Sequence, residues 1–232
     1  MRPRPLFSIV IPVFNEEGNI KLLISSLENA LTEYNYELIF VDDFSSDESC
    51  KIINSEANPH TSLIVFELHK GQSSALASGI KRARGHYIVT MDGDLQNDPS
   101  DIPKMLDIIQ NEALDMVIGF RQNRQDPFLK TMPSKIANFI IRMTTQLQIR
   151  DSGCALKVMT SKIAKELPLY GELHRFMALN AHLRGARIKE VPVIHHPRIH
   201  GASKYGLERT YKVLKDLSQI LISHKKAYSK RV

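Results

Sequence analysis

Strand-like apolar runs alternate with helical stretches through the first half of this chain, and no other feature constrains its fold as much. β-Branched and other apolar residues concentrate at 7–11, 37–41, 63–68, 87–91 and 116–118, each short enough for a buried strand. Stretches with helical periodicity fall between them at 17–31, 47–57, 73–83 and 102–111, the last two opened by Ser73 and by Pro99-Ser100-Asp101. Strand alternating with helix predicts an α/β fold, a mostly parallel sheet flanked by helices. In such sheets ligands gather beyond the carboxyl ends of the strands.

Those ends are unusually acidic. The first strand runs into Pro12-Val13-Phe14-Asn15-Glu16-Glu17, the second into Asp42-Asp43-Phe44-Ser45, and the fourth into Asp92-Gly93-Asp94-Leu95-Gln96. Asp43, Ser46 and Asp47, and the acids between Asp98 and Asp101, fit helix caps, which accept hydrogen bonds from a helix's first amides. Capping does not account for Asp92 and Asp94, which precede the next helix by several residues. Two apart at a strand end, they can converge on one ion, and carboxylates suit hard cations such as Mg²⁺ or Mn²⁺ that bridge to diphosphate oxygens. The first strand–helix turn carries neither G-x-G-x-x-G nor G-x-x-x-x-G-K-[ST], which argues against a dinucleotide dehydrogenase or a P-loop NTPase. A diphosphate here must be held by a metal on acids and by basic groups from elsewhere, as a nucleotide sugar would be.

Charge sharpens the choice of partner. Of 31 Lys+Arg and 25 Asp+Glu, residues 174–232 hold 13 and 3, so the last quarter carries +10 and the rest −4. Such a segment suits anionic lipid headgroups, a phosphorylated substrate, nucleic acid or plain solvation. No zinc finger or RNA-binding aromatic pair supports nucleic acid, which is not an expected partner. No apolar run reaches membrane-spanning length, and the apolar stretch after MRPRP is too short for a secretory signal. Cys50 and Cys154 lie far apart without metal-ligand spacing, which reads as two free thiols in a reducing cytosol.

The segments Ile9-Val10-Ile11-Pro12-Val13-Phe14-Asn15-Glu16-Glu17-Gly18-Asn19, Val41-Asp42-Asp43-Phe44-Ser45 and Met91-Asp92-Gly93-Asp94-Leu95-Gln96-Asn97-Asp98-Pro99 resemble family 2 glycosyltransferases of the GT-A fold, a Rossmann-like architecture. Three later segments are similar to the polyprenyl-phosphate (dolichol- or undecaprenyl-phosphate) subgroup: Asp151-Ser152-Gly153-Cys154, Glu172-Leu173-His174-Arg175-Phe176, and His196 through Gly206. The resemblance covers about residues 6 to 217. It implies a glycosyltransferase domain over 1–205, followed at 206–232 by a C-terminal amphipathic helix and a basic tail.

The resemblance also implies roles, position by position. Pro12, Phe14, Glu16 and Asp43 would line the nucleotide pocket, with Gly93 beside the diphosphate. Asp92, Asp94 and Gln96 would hold Mg²⁺ or Mn²⁺, and Arg198 and Lys204 would close over the donor phosphates. Arg121, Lys130 and Ser134 would hold the acceptor phosphate. Lys130 stands where the family often has Arg, which weakens bidentate contact, and Phe14 lacks the hydroxyl of the more usual Tyr.

The implied reaction is inverting transfer of a sugar from a nucleotide sugar, GDP-mannose or a UDP-hexose, to a membrane polyprenyl phosphate. A phosphate monoester is largely ionised at neutral pH, with its second pKa near 6, so a general base helps without being compulsory. Asp94 and Asp151 are the candidate catalytic acids, Asp151 for aligning or deprotonating the acceptor. His195, His196 and His200 receive no ligand role, since adjacent residues on a strand face opposite ways. Ile136, Phe139, Ile140, Met143 and Leu147 share one helical face, as do Leu207, Tyr211, Leu214, Leu217 and Leu221; either face could rest on a membrane surface or pack on the sheet. The expected place is peripheral, on the cytoplasmic face of a membrane, with room for a separate integral membrane partner. The alternatives are a family 2 transferase with a soluble saccharide acceptor and a non-catalytic nucleotide-sugar-binding subunit.

Overall fold

The structure is a computed structural model and describes residues 4–121, 141–145, 147–198, 213 and 215–222. Its elements run β1 (Phe7–Val13), α1 (Glu17–Ala30), β2 (Tyr36–Asp42), α2 (Ser49–Ser55), β3 (Thr61–Val65), α3 (Gln72–Arg82), β4 (Tyr87–Thr90), α4 (Asp101–Asn111), β5 (Met116–Arg121), β6 (Lys157–Thr160), α5 (Ser161–Glu166), a 3₁₀ turn (Leu173–Phe176), α6 (Met177–His182) and β7 (Ile188–Val193). Residues 141–145 and 215–222 are also helical. The seven strands form one sheet in the order β3-β2-β1-β4-β6-β5-β7.

This is the expected α/β architecture, and each of the first five strands and four helices lies on a stretch that periodicity marked. β1 is central, with Phe7, Ile9, Val10 and Ile11 fully buried, because helices cover both faces. On one face Ile9, Ile11, Leu38 and Phe40 pack with Ile20, Leu23, Leu27, Ile102 and Met105 of α1 and α4. On the other, Val10, Ile39 and Val41 meet Ala75, Leu76 and Ile80 of α3 and Ile163, Met177 and Leu179 beyond it. Close approach is built in at Gly79, where a Cβ would lie 2.3 Å from Val10 Cγ1, so α3 sits nearer the sheet than any side chain there would permit.

Strands β6 and β7 lie outside the runs that periodicity marked. β6 runs antiparallel to both β4 and β5, with Lys157 opposite Thr90 and Ile118. Its amino end therefore reaches the same rim as the carboxyl ends of β1, β2 and β4.

The two apolar stripes fare differently. Leu217 is buried and Leu221 packs against the same core, so this part of the second stripe serves the chain's own sheet. In the first, Met143 is 71% exposed while Leu147 is buried, and Ile141, off the expected face, is fully buried. The expected single face thus splits between core and surface. Ile136, Phe139, Ile140, Leu207, Tyr211 and Leu214 lie outside the described residues, as does most of 206–232.

Candidate active site

Because β2, β1 and β4 are parallel neighbours, their carboxyl ends line up and bring three acidic segments to one rim. Each end turns sharply through a residue in the left-handed region: Asn15 (φ 53°), Phe44 (φ 70°) and Leu95 (φ 61°). Such backbone is unfavourable for a side chain larger than Asn and marks sites where the fold over-determines a loop. Asn15 suits it, since its Oδ1 accepts from the Ser46 amide at 2.8 Å.

The acids take distinct parts. Asp47 caps as expected, accepting from the Ser49 amide at 3.0 Å and the Glu17 amide at 3.1 Å, while Glu17 accepts from the Glu48 amide at 2.9 Å, so α1 and α2 bind each other's starts. Asp43 does not cap α2. Its carboxylate accepts from the Lys70 and Gly71 amides at 2.7 and 2.8 Å and lies 3.0 Å from His69 Nδ1, which ties β2 to the turn before α3. The His69 ring stacks obliquely on Phe14, with centroids 4.6 Å apart. Phe14, Asp43 and partly exposed Pro12 thus share one corner of the rim, where sequence reading put a nucleotide but did not single out His69.

Asp92 and Asp94 meet at the centre. Gln72 Nε2 donates to Asp92 Oδ1 at 2.7 Å, Asp94 Oδ1 accepts from the Gln96 amide at 3.2 Å, and Gly93 lies between them. Burial, then the neighbouring Asp94 charge, pushes the Asp92 carboxyl up to about 6. A hard cation would relieve both penalties, and two carboxylates completed by substrate phosphates are a usual magnesium arrangement, so the pair fits such an ion. Gln96 turns its amide nitrogen to the His196 carbonyl at 3.4 Å. Among the described residues no three His, Cys, Asp or Glu side chains group as a metal site. The other metal partners would be substrate oxygens.

Arg198 bridges the two halves of the rim. Its Nη2 lies 2.5 Å from Asp94 Oδ2 and its Nη1 3.8 Å from Glu16 Oε1, and the bridge between Asn97 and His195 brings its segment across. His196 bonds Asp98 at 2.9 Å, as a loop residue would. Arg121, at the end of β5, forks onto Asp151, Nε to Oδ2 at 2.6 Å and Nη2 to Oδ1 at 2.8 Å. Both oxygens of Asp151 are therefore engaged by a guanidinium. Lys130, Ser134, Lys204 and His200 lie outside the described residues.

The profile of glycosyl transferase family 2 matches residues 8–167. The chain belongs to that family. Among relatives, it is 41% identical to dodecaprenyl-phosphate galacturonate synthase of Rhizobium johnstonii over 92% of this chain and 66% of that protein. It is 34% identical to undecaprenyl-phosphate 4-deoxy-4-formamido-L-arabinose transferase of Edwardsiella ictaluri over 90% of this chain and 66% of that one. The chain thus spans just under two thirds of the length of these relatives. Its fold is shared with glucosyl-3-phosphoglycerate synthase of Mycobacterium tuberculosis (TM-score 0.71, 19% identity, 95% of this chain and 80% of that one). The same enzyme solved with Mn²⁺ and uridine-diphosphate-glucose gives a TM-score of 0.69 at 18% identity, over 96% and 78% of the chains.

This glycosyl transferase family 2 chain also brings to the rim a lysine that sequence reading did not single out. Lys157 is 3% exposed and donates to the Cys154 carbonyl beneath Asp92, in a cleft it shares with Gly153, His174 and Arg175. The available signal was a lysine inside an apolar run, Leu156-Lys157-Val158-Met159. Without an antiparallel β6, nothing placed that run at the rim.

Proposed function

We propose that this protein transfers a sugar from a nucleotide sugar to a polyprenyl phosphate, with inversion at the anomeric carbon and a divalent cation on Asp92 and Asp94. The observation that carries the reading is the carboxylate pair with Arg198 on Asp94 and with Arg121, itself forked onto Asp151, near enough to act on Asp92. Two arginines at one carboxylate pair suit two phosphate groups meeting at one sugar. The relatives' acceptors, dodecaprenyl and undecaprenyl phosphate, support the lipid. The Mn²⁺ and uridine-diphosphate-glucose bound by the mycobacterial enzyme support the cation and the donor class.

A bound Mg²⁺ or Mn²⁺ would supply positive charge to the departing diphosphate. Phe14, with His69 against it, and Pro12 would receive the base, Glu16 would fix Arg198, and Arg198, joined by Lys204, would neutralise the leaving group. An acceptor phosphate oxygen attacks the anomeric carbon and forms the new C–O bond. The bond to the nucleoside diphosphate breaks, and its electron pair leaves on the diphosphate oxygen. The ionised acceptor needs no proton removed, so Asp151 serves to aim Arg121 at the acceptor phosphate. By the resemblance, Lys130 and Ser134 would join that contact.

No helix among the described residues is long and apolar enough to cross a membrane. The proposed place is the cytoplasmic surface of a membrane, where exposed Met143 and the basic C-terminal segment would face anionic headgroups.

Incubating the full chain with GDP-mannose and a panel of UDP-sugars, a short-chain prenyl phosphate and Mn²⁺ or Mg²⁺ tests the reading. A lipid-linked sugar that disappears in Asp94→Ala is the expected result. Transfer only to a soluble saccharide would reject the lipid acceptor, and nucleotide-sugar binding with no turnover would reject catalysis.

A further inference from the structure

The segment Glu172-Leu173-His174-Arg175-Phe176 receives no role in the reading above, yet it forms one wall of the cleft beside Asp92. It is fixed from several directions. The Ser73 hydroxyl accepts from the His174 amide at 3.1 Å and meets His174 Nδ1 at 2.9 Å, the Glu172 amide donates to Asp216 at 2.9 Å, and Leu173 and Phe176 are buried. Arg175 Nε donates to Glu172 Oε2 at 3.2 Å, both side chains being 17% exposed. Arg175 also lines the cleft beside Asp92.

What it faces is a residue with no side chain. A Cβ built on Gly153 would lie 3.6 Å from Arg121 Nη2, 3.6 Å from Asp151 Oδ1 and 4.0 Å from Arg175 Nη1. Two guanidinium groups, from β5 and from the 3₁₀ turn, thus converge over bare backbone. Lys157 lies in the same cleft, and all three cations act on Asp92. Asp151, Glu172 and Asp92 give the cluster its own counter-charge, so what a phosphate would add is the bidentate match between guanidinium N–H groups and its oxygens. Asp151 and Glu172 each hold one arginine from its flank.

We infer that Arg175 is an acceptor-binding residue: with Arg121 and Lys157, over Gly153, it forms a seat for the terminal phosphate monoester of the acceptor. This rests on the proposed function, and it adds a ligand that the resemblance did not supply. The open floor at Gly153 is part of the seat, because a methyl group there would occupy the phosphate's place at ordinary contact distances without disturbing its neighbours.

Two measurements on the full chain test it. In the first, inorganic phosphate is titrated and its binding followed by phosphorus-31 line broadening for wild type, Arg175→Ala and Gly153→Ala. Binding in wild type that both substitutions abolish supports the seat. No wild-type binding, or binding that neither substitution alters, overturns it. In the second, the acceptor KM for a short-chain prenyl phosphate is compared with the donor Kd from calorimetry. Arg175→Ala should raise the acceptor KM about tenfold or more, the worth of a charged hydrogen bond, with the donor Kd little changed. Arg175→Lys should recover part of the loss. A fall in donor affinity with acceptor KM unchanged overturns the assignment. Melting temperatures separate binding from folding: if Arg175→Ala lowers the melting temperature and Arg175→Lys restores it without recovering phosphate binding, Arg175 is structural and the seat is overturned. Phosphate binding lost in Arg175→Ala, alongside a wild type that forms no lipid-linked product, would leave the seat standing while the proposed function falls.

Discussion

Arg198 Nη2 lies 2.5 Å from Asp94 Oδ2, so the guanidinium proposed to grip the leaving diphosphate shares an oxygen with the carboxylate proposed to hold the cation. The two uses compete. A divalent ion reaching Oδ2 must displace the arginine, which then becomes available to the donor phosphates. Arg198→Ala should therefore bind Mn²⁺ more tightly than wild type when no donor is present, by about threefold to tenfold for one charged contact. It should also turn over far more slowly. Manganese titration by electron paramagnetic resonance checks this, and weaker binding in the variant would refute the competition.

Asp92 predicts a pH dependence of stability. Burial and then Asp94 raise its carboxyl from 3.8 to about 6, so the folded chain holds this proton more firmly than the unfolded one. Its contribution is fully present below about pH 4 and is lost as pH rises through about 6. In chelator the melting temperature should fall across that window. Asp92→Asn should flatten the fall and raise the melting temperature at pH 7.5, and Mn²⁺ should restore wild type but not the variant.

The opposite sign applies at the far end of the sheet. Burial pushes the Glu37 carboxyl up, but the Ser8 hydroxyl at 2.6 Å, the Arg84 amide at 2.7 Å and the Arg84 guanidinium at 2.9 Å outweigh it and hold it below its ordinary 4.5. This stability is present above about pH 4.5 and lost as pH falls through the lower folded value. Glu37→Gln should cost about 1–2 kcal/mol at pH 7, and less in acid, by urea denaturation.

Phe44 combines a φ of 70° with a side chain 54% exposed. Left-handed backbone costs about 1–2 kcal/mol for an ordinary side chain, and little burial offsets it here. Phe44→Asn should therefore stabilise the chain by about 1 kcal/mol in urea, since Asn tolerates this conformation. If donor affinity falls in the same variant, the strain serves the nucleotide corner.

The parallel half was legible because periodicity carries it. β1 through α4 rest on alternating runs, and Asp92 and Asp94 stood out because no helix start explained them. β6 was not legible: it is as short as β4 but opens on a lysine, which breaks the apolar run, and its direction follows from tertiary pairing. Lys157 and the link between Arg175 and Arg121 were lost with it. Asp43 lies just beyond β2, where strand alternation puts it, but its bonds to the Lys70 and Gly71 amides depend on a turn far along the chain. Met143 and Ile141 show the limit of spacing, which gives a stripe but not which side of it meets the core.

The reversal of direction at β6 joins two stretches of polypeptide at one rim. The strands before β5 bring the carboxylates, and β5 with the segment leading into β6 brings the arginine fork, so the proposed donor and acceptor contacts fall largely on separate stretches, with Arg198 returning to the donor side from beyond β7. A chimera taking residues 113–193 from a relative with a different acceptor should inherit that acceptor and keep its original sugar preference. Divergence in this lineage could then alter either partner one at a time.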